Sequence, residues 1–230
     1  MPQSPRALLV VPASNTTMQR EIAALCPELD LTVVRVSRPL RTLSAEDVAG
    51  YGEATLQAVT PFLAARPTIV VHGCTAGGFL AGPEGNARIV AELARVTKAP
   101  VISTAEAMVA TLVAAGVRST SVVTPYLPSV NDALRRYLAA SGVGVDRLES
   151  FLCDSTTALA EIGEQEVLEK ALSTVTCDSE ALFIACSQLP TVNIMAGLRA
   201  RAGIPVASSI SATAACLREA LAAPAPVLQP

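Results

Sequence analysis

Two cysteines, Cys74 and Cys186, each close an apolar run and open a short polar turn. The first stands in Val70-Val71-His72-Gly73-Cys74-Thr75-Ala76-Gly77-Gly78, the second in Leu182-Phe183-Ile184-Ala185-Cys186-Ser187-Gln188-Leu189-Pro190. A thiol where a strand gives way to a turn can face a cleft, and the amides of that turn lower its pKa. Two such thiols facing a small molecule from opposite sides suit proton abstraction and return. They equally suit attack by one thiolate with proton transfer by the other. After Cys74, Thr75 and the Gly77-Gly78 pair predict a close approach of backbone to ligand. After Cys186, Ser187 and Gln188 add donors.

Further candidates also follow apolar runs. Asn15, in Pro12-Ala13-Ser14-Asn15-Thr16-Thr17, is placed either to touch a ligand or to cap the helix expected from Met18. Tyr126, after Thr124-Pro125, offers a phenolic donor, and Ser155, in Asp154-Ser155-Thr156-Thr157, reads as a helix cap that also follows a strand. His72 shares a strand face with Cys74, but a packed, hydrogen-bonded histidine is the ordinary reading at such a place. No arginine falls within 12–17, 74–78, 124–127 or 186–190, so an acid bound there is held by neutral donors.

The elements that must position these residues alternate in type. Strands are expected at 7–11, 31–36, 68–71, 101–103, 121–123, 147–152, 181–184 and 206–207. Helices are expected at 18–25, 45–65, 84–97, 105–115, 130–141, 164–174, 195–201 and 212–222. Such alternation means parallel sheets with right-handed crossovers. Three landmarks recur in the same order in both halves: Val10-Val11-Pro12 against Val122-Val123-Thr124-Pro125, the cysteine turns, and Pro100-Val101 against Pro205-Val206. The expected fold is therefore α/β, with two pseudo-symmetric Rossmann-like lobes, each a short parallel sheet flanked by helices. Residues 1–104 plus 205–230 form the first lobe and 105–204 the second, with the active site between them at the strands' carboxyl ends.

Composition narrows the classes. The chain has 230 residues, 51% hydrophobic but only 3% aromatic and without Trp, which suits an Ala/Val/Leu/Ile core around a parallel sheet. The formal net charge is -3 and the basic residues are scattered, so nucleic acid is not an expected partner. One His and six Cys without a CxxC pair make a metal site unexpected. The glycine turn near 77–85 lacks the Lys-Ser/Thr of a phosphate loop, and no cofactor is expected. The polar start has no signal-peptide pattern and no apolar run is long enough to cross a membrane, so a cytoplasmic chain with reduced thiols is expected. Cys26 and Cys216, among Ala and Leu, read as packed or half-exposed helix thiols.

The cysteine pair, the repeat and the length resemble the aspartate/glutamate racemase superfamily. Val10-Val11-Pro12-Ala13-Ser14-Asn15-Thr16-Thr17-Met18-Gln19-Arg20-Glu21-Ile22 resembles the opening motif of bacterial maleate cis-trans isomerases. Val123-Thr124-Pro125-Tyr126-Leu127 and Ala185-Cys186-Ser187-Gln188-Leu189-Pro190 are similar to two more of that branch's motifs. The resemblance implies a cofactor-independent isomerase of maleate or a similar small unsaturated diacid. It makes Cys74 the nucleophile that adds to the double bond, Cys186 the proton handler, and Asn15 and Tyr126 substrate contacts, beside Thr75, Ser187 and Gln188. It aligns Ser155 with the branch's second asparagine. The chain departs from the branch at that serine and at Thr75-Ala76-Gly77-Gly78, where larger apolar residues are usual. Alternatives are a two-cysteine racemase of an amino acid or hydantoin-like compound, a decarboxylase of a substituted malonate, as in the more distant arylmalonate decarboxylases, and a non-catalytic small-acid binder. A homodimer or a dimer of dimers is expected.

Overall fold

The computed structural model describes residues 4–37 and 50–222. The first half runs β1 (Arg6–Pro12), α1 (Met18–Leu25), β2 (Asp30–Val36), α2 (Tyr51–Val59) with a 3-10 turn (Thr60–Ala65), β3 (Ile69–His72), α3 (Thr75–Phe79), α4 (Gly82–Thr97) and β4 (Val101–Ser103). The second runs α5 (Thr104–Ala114), β5 (Ser119–Thr124), α6 (Pro128–Ala140), β6 (Gly144–Ser150), α7 (Thr156–Glu161), α8 (Glu164–Thr174), β7 (Leu182–Ile184), α9 (Met195–Ala202), β8 (Val206–Ser208) and α10 (Ser209–Ala222).

These strands form two parallel four-stranded sheets of matching order, β2-β1-β3-β4 and β6-β5-β7-β8. The central strands are apolar on both faces because helices cover both, and the strand period divides their residues between two layers. Leu8 and Val10 of β1 pack with Tyr51 and Leu93, whereas Leu9 and Val11 pack with Met18, Ile22 and Leu217. The second sheet is built the same way around Val122, Val123, Phe183 and Ile184.

The two halves are joined through α10. Its Ile210, Ala214 and Leu217 lie in the core of the first lobe, while Ala212 joins the core of the second. The expected return to the first lobe at 205 falls one strand early on this geometry, since β8 pairs with β7 and keeps 206–208 in the second sheet. Residues 1–3, 38–49 and 223–230 of the expected first lobe lie outside the described residues.

Several elements differ from expectation. The helix expected over 45–65 is observed as α2 and the 3-10 turn, with 45–49 outside the described residues. The strand expected to reach Leu152 ends at Ser150, and Leu152 has a left-handed φ of 54°. The helices α3 and α7, of five and six residues, were not anticipated, because so short a helix repeats no apolar period. Among the described residues no helix is long and apolar enough to cross a membrane.

Candidate active site

Both cysteines sit at the carboxyl ends of central strands. After β3 the amide of Gly73 donates to the Val10 carbonyl at 2.7 Å. A Cβ at Gly73 would stand 2.8 Å from Val11 Cγ1 and 2.9 Å from Met18 Sδ, so only glycine lets the chain pass here. Cys74 follows in an extended conformation as the N-cap of α3, and its Sγ accepts the Gly77 amide at 3.2 Å. The glycine pair is required by packing. A Cβ at Gly77 would meet the Tyr51 ring at 2.8 Å, and one at Gly78 would meet Ala105 Cβ at 2.5 Å. The pair lets α3 lie close against α2 and α5, which fixes the cap and its thiol.

Cys186 follows β7 without a helix. Its Sγ accepts the Gln188 amide at 3.4 Å. Burial pushes the Cys186 thiol up to about 11; a hydrogen bond from the Tyr126 side chain and the turn amides pull the other way, and Cys74 opposes a second negative charge. The expectation that turn amides leave this thiol with a lowered pKa is thus overturned: desolvation outweighs two or three amide contacts. Cys186 is held protonated at neutral pH.

The two thiols line one narrow cavity between the lobes. Ser14, Asn15 and Thr75 join Cys74 on the first-lobe side; Tyr126, Thr156, Ser187 and Gln188 join Cys186 on the other, with Pro12, Ala76 and Leu159 as apolar wall. No Asp, Glu, Lys, Arg or His lines it among the described residues. A larger groove of ≈ 410 Å³ among α5, α9 and α10 carries no cysteine.

Most of the expected substrate donors also hold the lobes together. Asn15 Nδ2 donates to Ser187 Oγ at 3.1 Å, and Ser187 Oγ donates to the Gly73 carbonyl at 2.9 Å. Gln188 Oε1 accepts the Thr16 amide at 2.9 Å while its Nε2 donates to Thr16 Oγ1 at 3.2 Å. Asn15 Oδ1 accepts the Met18 amide at 3.0 Å at the start of α1, the helix-start role its sequence context allowed, and the residue also lines the cavity. Arg35 braces this loop from outside, donating to the Asn15 carbonyl at 2.6 Å. Thr75 Oγ1 donates to Ser209 Oγ at 3.0 Å, so its hydroxyl is turned to α10. Tyr126 is set by Asn131 Nδ2 on its carbonyl at 2.9 Å and by an edge contact of its ring with Phe79, centroids 5.6 Å apart.

Ser155 does not line the cavity. Its Oγ accepts the Ala158 amide at 3.2 Å and caps α7, and that helix turns Thr156 and Leu159 inward. Thr156 was within one residue of the expected position, but only the helix direction selects it. His72 is fully buried, its ring 5.7 Å from that of Tyr51, and neither nitrogen has a hydrogen-bond partner among the described residues. Burial alone lowers its pKa to about 4. It is a neutral core residue, although not the hydrogen-bonded one expected, and it does not line the cavity.

Comparison with known proteins agrees with this arrangement. A family model described as arylmalonate decarboxylase matches residues 7–225. The maleate isomerase of Nocardia farcinica is 26% identical over 228 residues, covering 95% of this chain and 91% of that protein. The arylmalonate decarboxylase of Bordetella bronchiseptica is 22% identical over 208 residues, covering 90% and 86%. Among solved structures, a cysteine-to-serine variant of Nocardia farcinica maleate cis-trans isomerase carries a covalently bound succinylcysteine intermediate. It superposes with a TM-score of 0.89 at 26% identity, covering 96% of this chain and 94% of that one. The two-lobed fold and the isomerase branch expected from the motifs are both borne out.

Proposed function

The chain belongs to the arylmalonate decarboxylase family, and from that premise we propose that it is a cofactor-independent cis-trans isomerase of maleate or a similar small unsaturated diacid. The observation that carries this reading is the meeting of two thiols, one from each lobe, in a single cavity with no charged side chain in its lining.

Each thiol has a defined part. Cys74 Sγ, as thiolate, attacks one alkene carbon and forms a C–S bond while the π electrons move to the neighbouring carbon and its carboxylate. The Gly77 amide that already donates to this sulfur stabilises its charged form. Of the first-turn amides of α3, those of Thr75 and Ala76 lie beyond the reach of any helical acceptor and would meet the carboxylate. Cys186, held protonated by burial, gives its proton to the carbanion, leaving a succinyl adduct on Cys74. The former double bond is now single and rotates. Cys186 thiolate takes a proton back, the C=C bond re-forms in the trans geometry, and Cys74 thiolate leaves. Electrons and protons balance with no external reagent. A succinylcysteine intermediate in the Nocardia farcinica isomerase supports the same order of steps here.

Incubation with maleate, and separately with D- and L-aspartate in heavy water, tests the reading. Fumarate formation is expected. Deuteration of aspartate at the α-carbon without fumarate would make the protein a racemase, and the absence of both products would overturn the isomerase reading.

A further inference from the structure

No regular element lies between β7 and α9, so the turn that carries Cys186 has no helix to hold it. Five residues beyond the thiol it meets a buried carboxylate from the other lobe. Glu21, in the first turn of α1, is only 4% exposed. Its Oε1 accepts the Thr191 amide at 2.6 Å and its Oε2 accepts the Thr191 hydroxyl at 2.9 Å. The Thr191 and Ser208 hydroxyls lie 3.0 Å apart, and the Ser211 amide donates to Ser208 Oγ at 3.1 Å, which ties the contact to the start of α10. Burying a carboxylate at a lobe boundary is costly unless its lone pairs are met, and here donors of one residue meet both oxygens.

We propose that Glu21 is a positioning residue, whose grip on Thr191 holds the 186–191 turn so that Cys186 stands across the cavity from Cys74. Asn15–Ser187 and Thr16–Gln188 fix the near end of the turn, and Glu21–Thr191 fixes the far end. All three contacts run from the loop and helix after β1 to the turn after β7. The second thiol is therefore located chiefly from the first lobe. Turnover as a readout rests on the isomerase reading; the reactivity of Cys186 does not.

The test compares Glu21→Leu, Glu21→Gln and Thr191→Val in the full chain. Alkylation of each cysteine by iodoacetamide is followed by peptide mapping, alongside fumarate formation from maleate. In Glu21→Leu the loosened turn should expose Cys186, raising its alkylation rate severalfold with Cys74 changed less than about twofold. Turnover should fall by ~10²-fold, the scale of a thiol misplaced by about 1 Å. Glu21→Gln should restore both within about threefold, because its Oε1 accepts the amide and its Nε2 meets a hydroxyl that can also accept. Thr191→Val should fall between the two, since the amide contact survives. Unchanged Cys186 alkylation in Glu21→Leu overturns the proposal, as does a Glu21→Gln variant as impaired as leucine, which would make the charge itself the requirement. Should Glu21→Leu fail to fold, Thr191→Val with an unchanged Cys186 rate overturns it equally. A protein that makes no fumarate but shows the alkylation pattern retains the positioning role and loses only the assigned reaction.

Discussion

The two lobes share a strand order and place a cysteine two residues past β3 and β7, yet the turns that follow are built differently. After Cys74 the chain winds directly into α3, packed within its own lobe through Gly77 and Gly78. After Cys186 it forms no helix, and Ser187, Gln188 and Thr191 tie it to the opposite lobe. Both thiols are buried and both accept a turn amide, the first at a helix start and the second in an irregular turn, where burial pushes Cys186 up to about 11. A repeated fold thus does not repeat its local structure. Strand order sets where a thiol emerges, and the turn after it sets what surrounds the sulfur.

The largest effect should come from exchanging the two roles. Cys74→Ser is expected to lower turnover by ~10³-fold or more, about 4 kcal/mol of barrier, because a hydroxyl near neutral pH is a far poorer nucleophile than a thiolate. Cys186→Ser should also lose most turnover but still form an adduct on Cys74, visible by intact-mass and peptide analysis after mixing with maleate. An adduct found on Cys186 of the unmodified protein instead would invert the comparison.

Next in size is a difference between matching strand ends, where the first lobe has His72 and the second Ile184. His72 has its pKa lowered from 6.5 to about 4 by burial. Above pH 6.5 neither folded nor unfolded protein binds this proton. As pH falls below 6.5 the unfolded chain takes it up and the folded one does not, until about 4. Stability is therefore lost on acidification across that window, by about 3 kcal/mol from this residue. Urea unfolding of the wild type and of His72→Leu across the window should diverge by that amount; parallel curves would mean that His72 finds a partner for its charge.

A smaller effect is expected at Asn15, which serves both lobes at once. Asn15→Ala should cost tenfold or more in turnover, from a lost bond of about 1.5–3 kcal/mol beside charged substrate, and also about 1 kcal/mol of stability from the lost Met18 contact. Kinetics and melting measured on the same preparation check this, and loss of stability without loss of turnover would reduce Asn15 to a cap. The smallest effect belongs to Ser155. Its Oγ caps α7 away from the cavity, so Ser155→Ala should cost about 1 kcal/mol of stability while turnover stays within about twofold. A selective rise in KM would return Ser155 to the substrate.

Much of the architecture was legible from local patterns. The bounds of α1, α8 and β4 coincide with those read from apolar spacing, because each is a periodic run closed by a clear end signal. The pair of thiols was legible for a similar reason, since a residue just past a buried strand must emerge at the sheet's carboxyl edge. The short helices were not, and they matter most locally: α3 makes Cys74 a cap, and α7 turns Thr156 rather than Ser155 toward the cavity.

The sequence by itself determined two α/β lobes, the paired cysteines and the neutral character of the loops, because strand and helix periods and residue types are local properties. Only the tertiary structure decided that Cys186 is protonated, that Asn15 bridges the lobes, and that Glu21 grips Thr191. Each of these depends on burial or on contact between residues 170 or more positions apart in the chain. Desolvation and cross-lobe geometry exist only once the lobes have closed on each other, and no spacing along the chain encodes them.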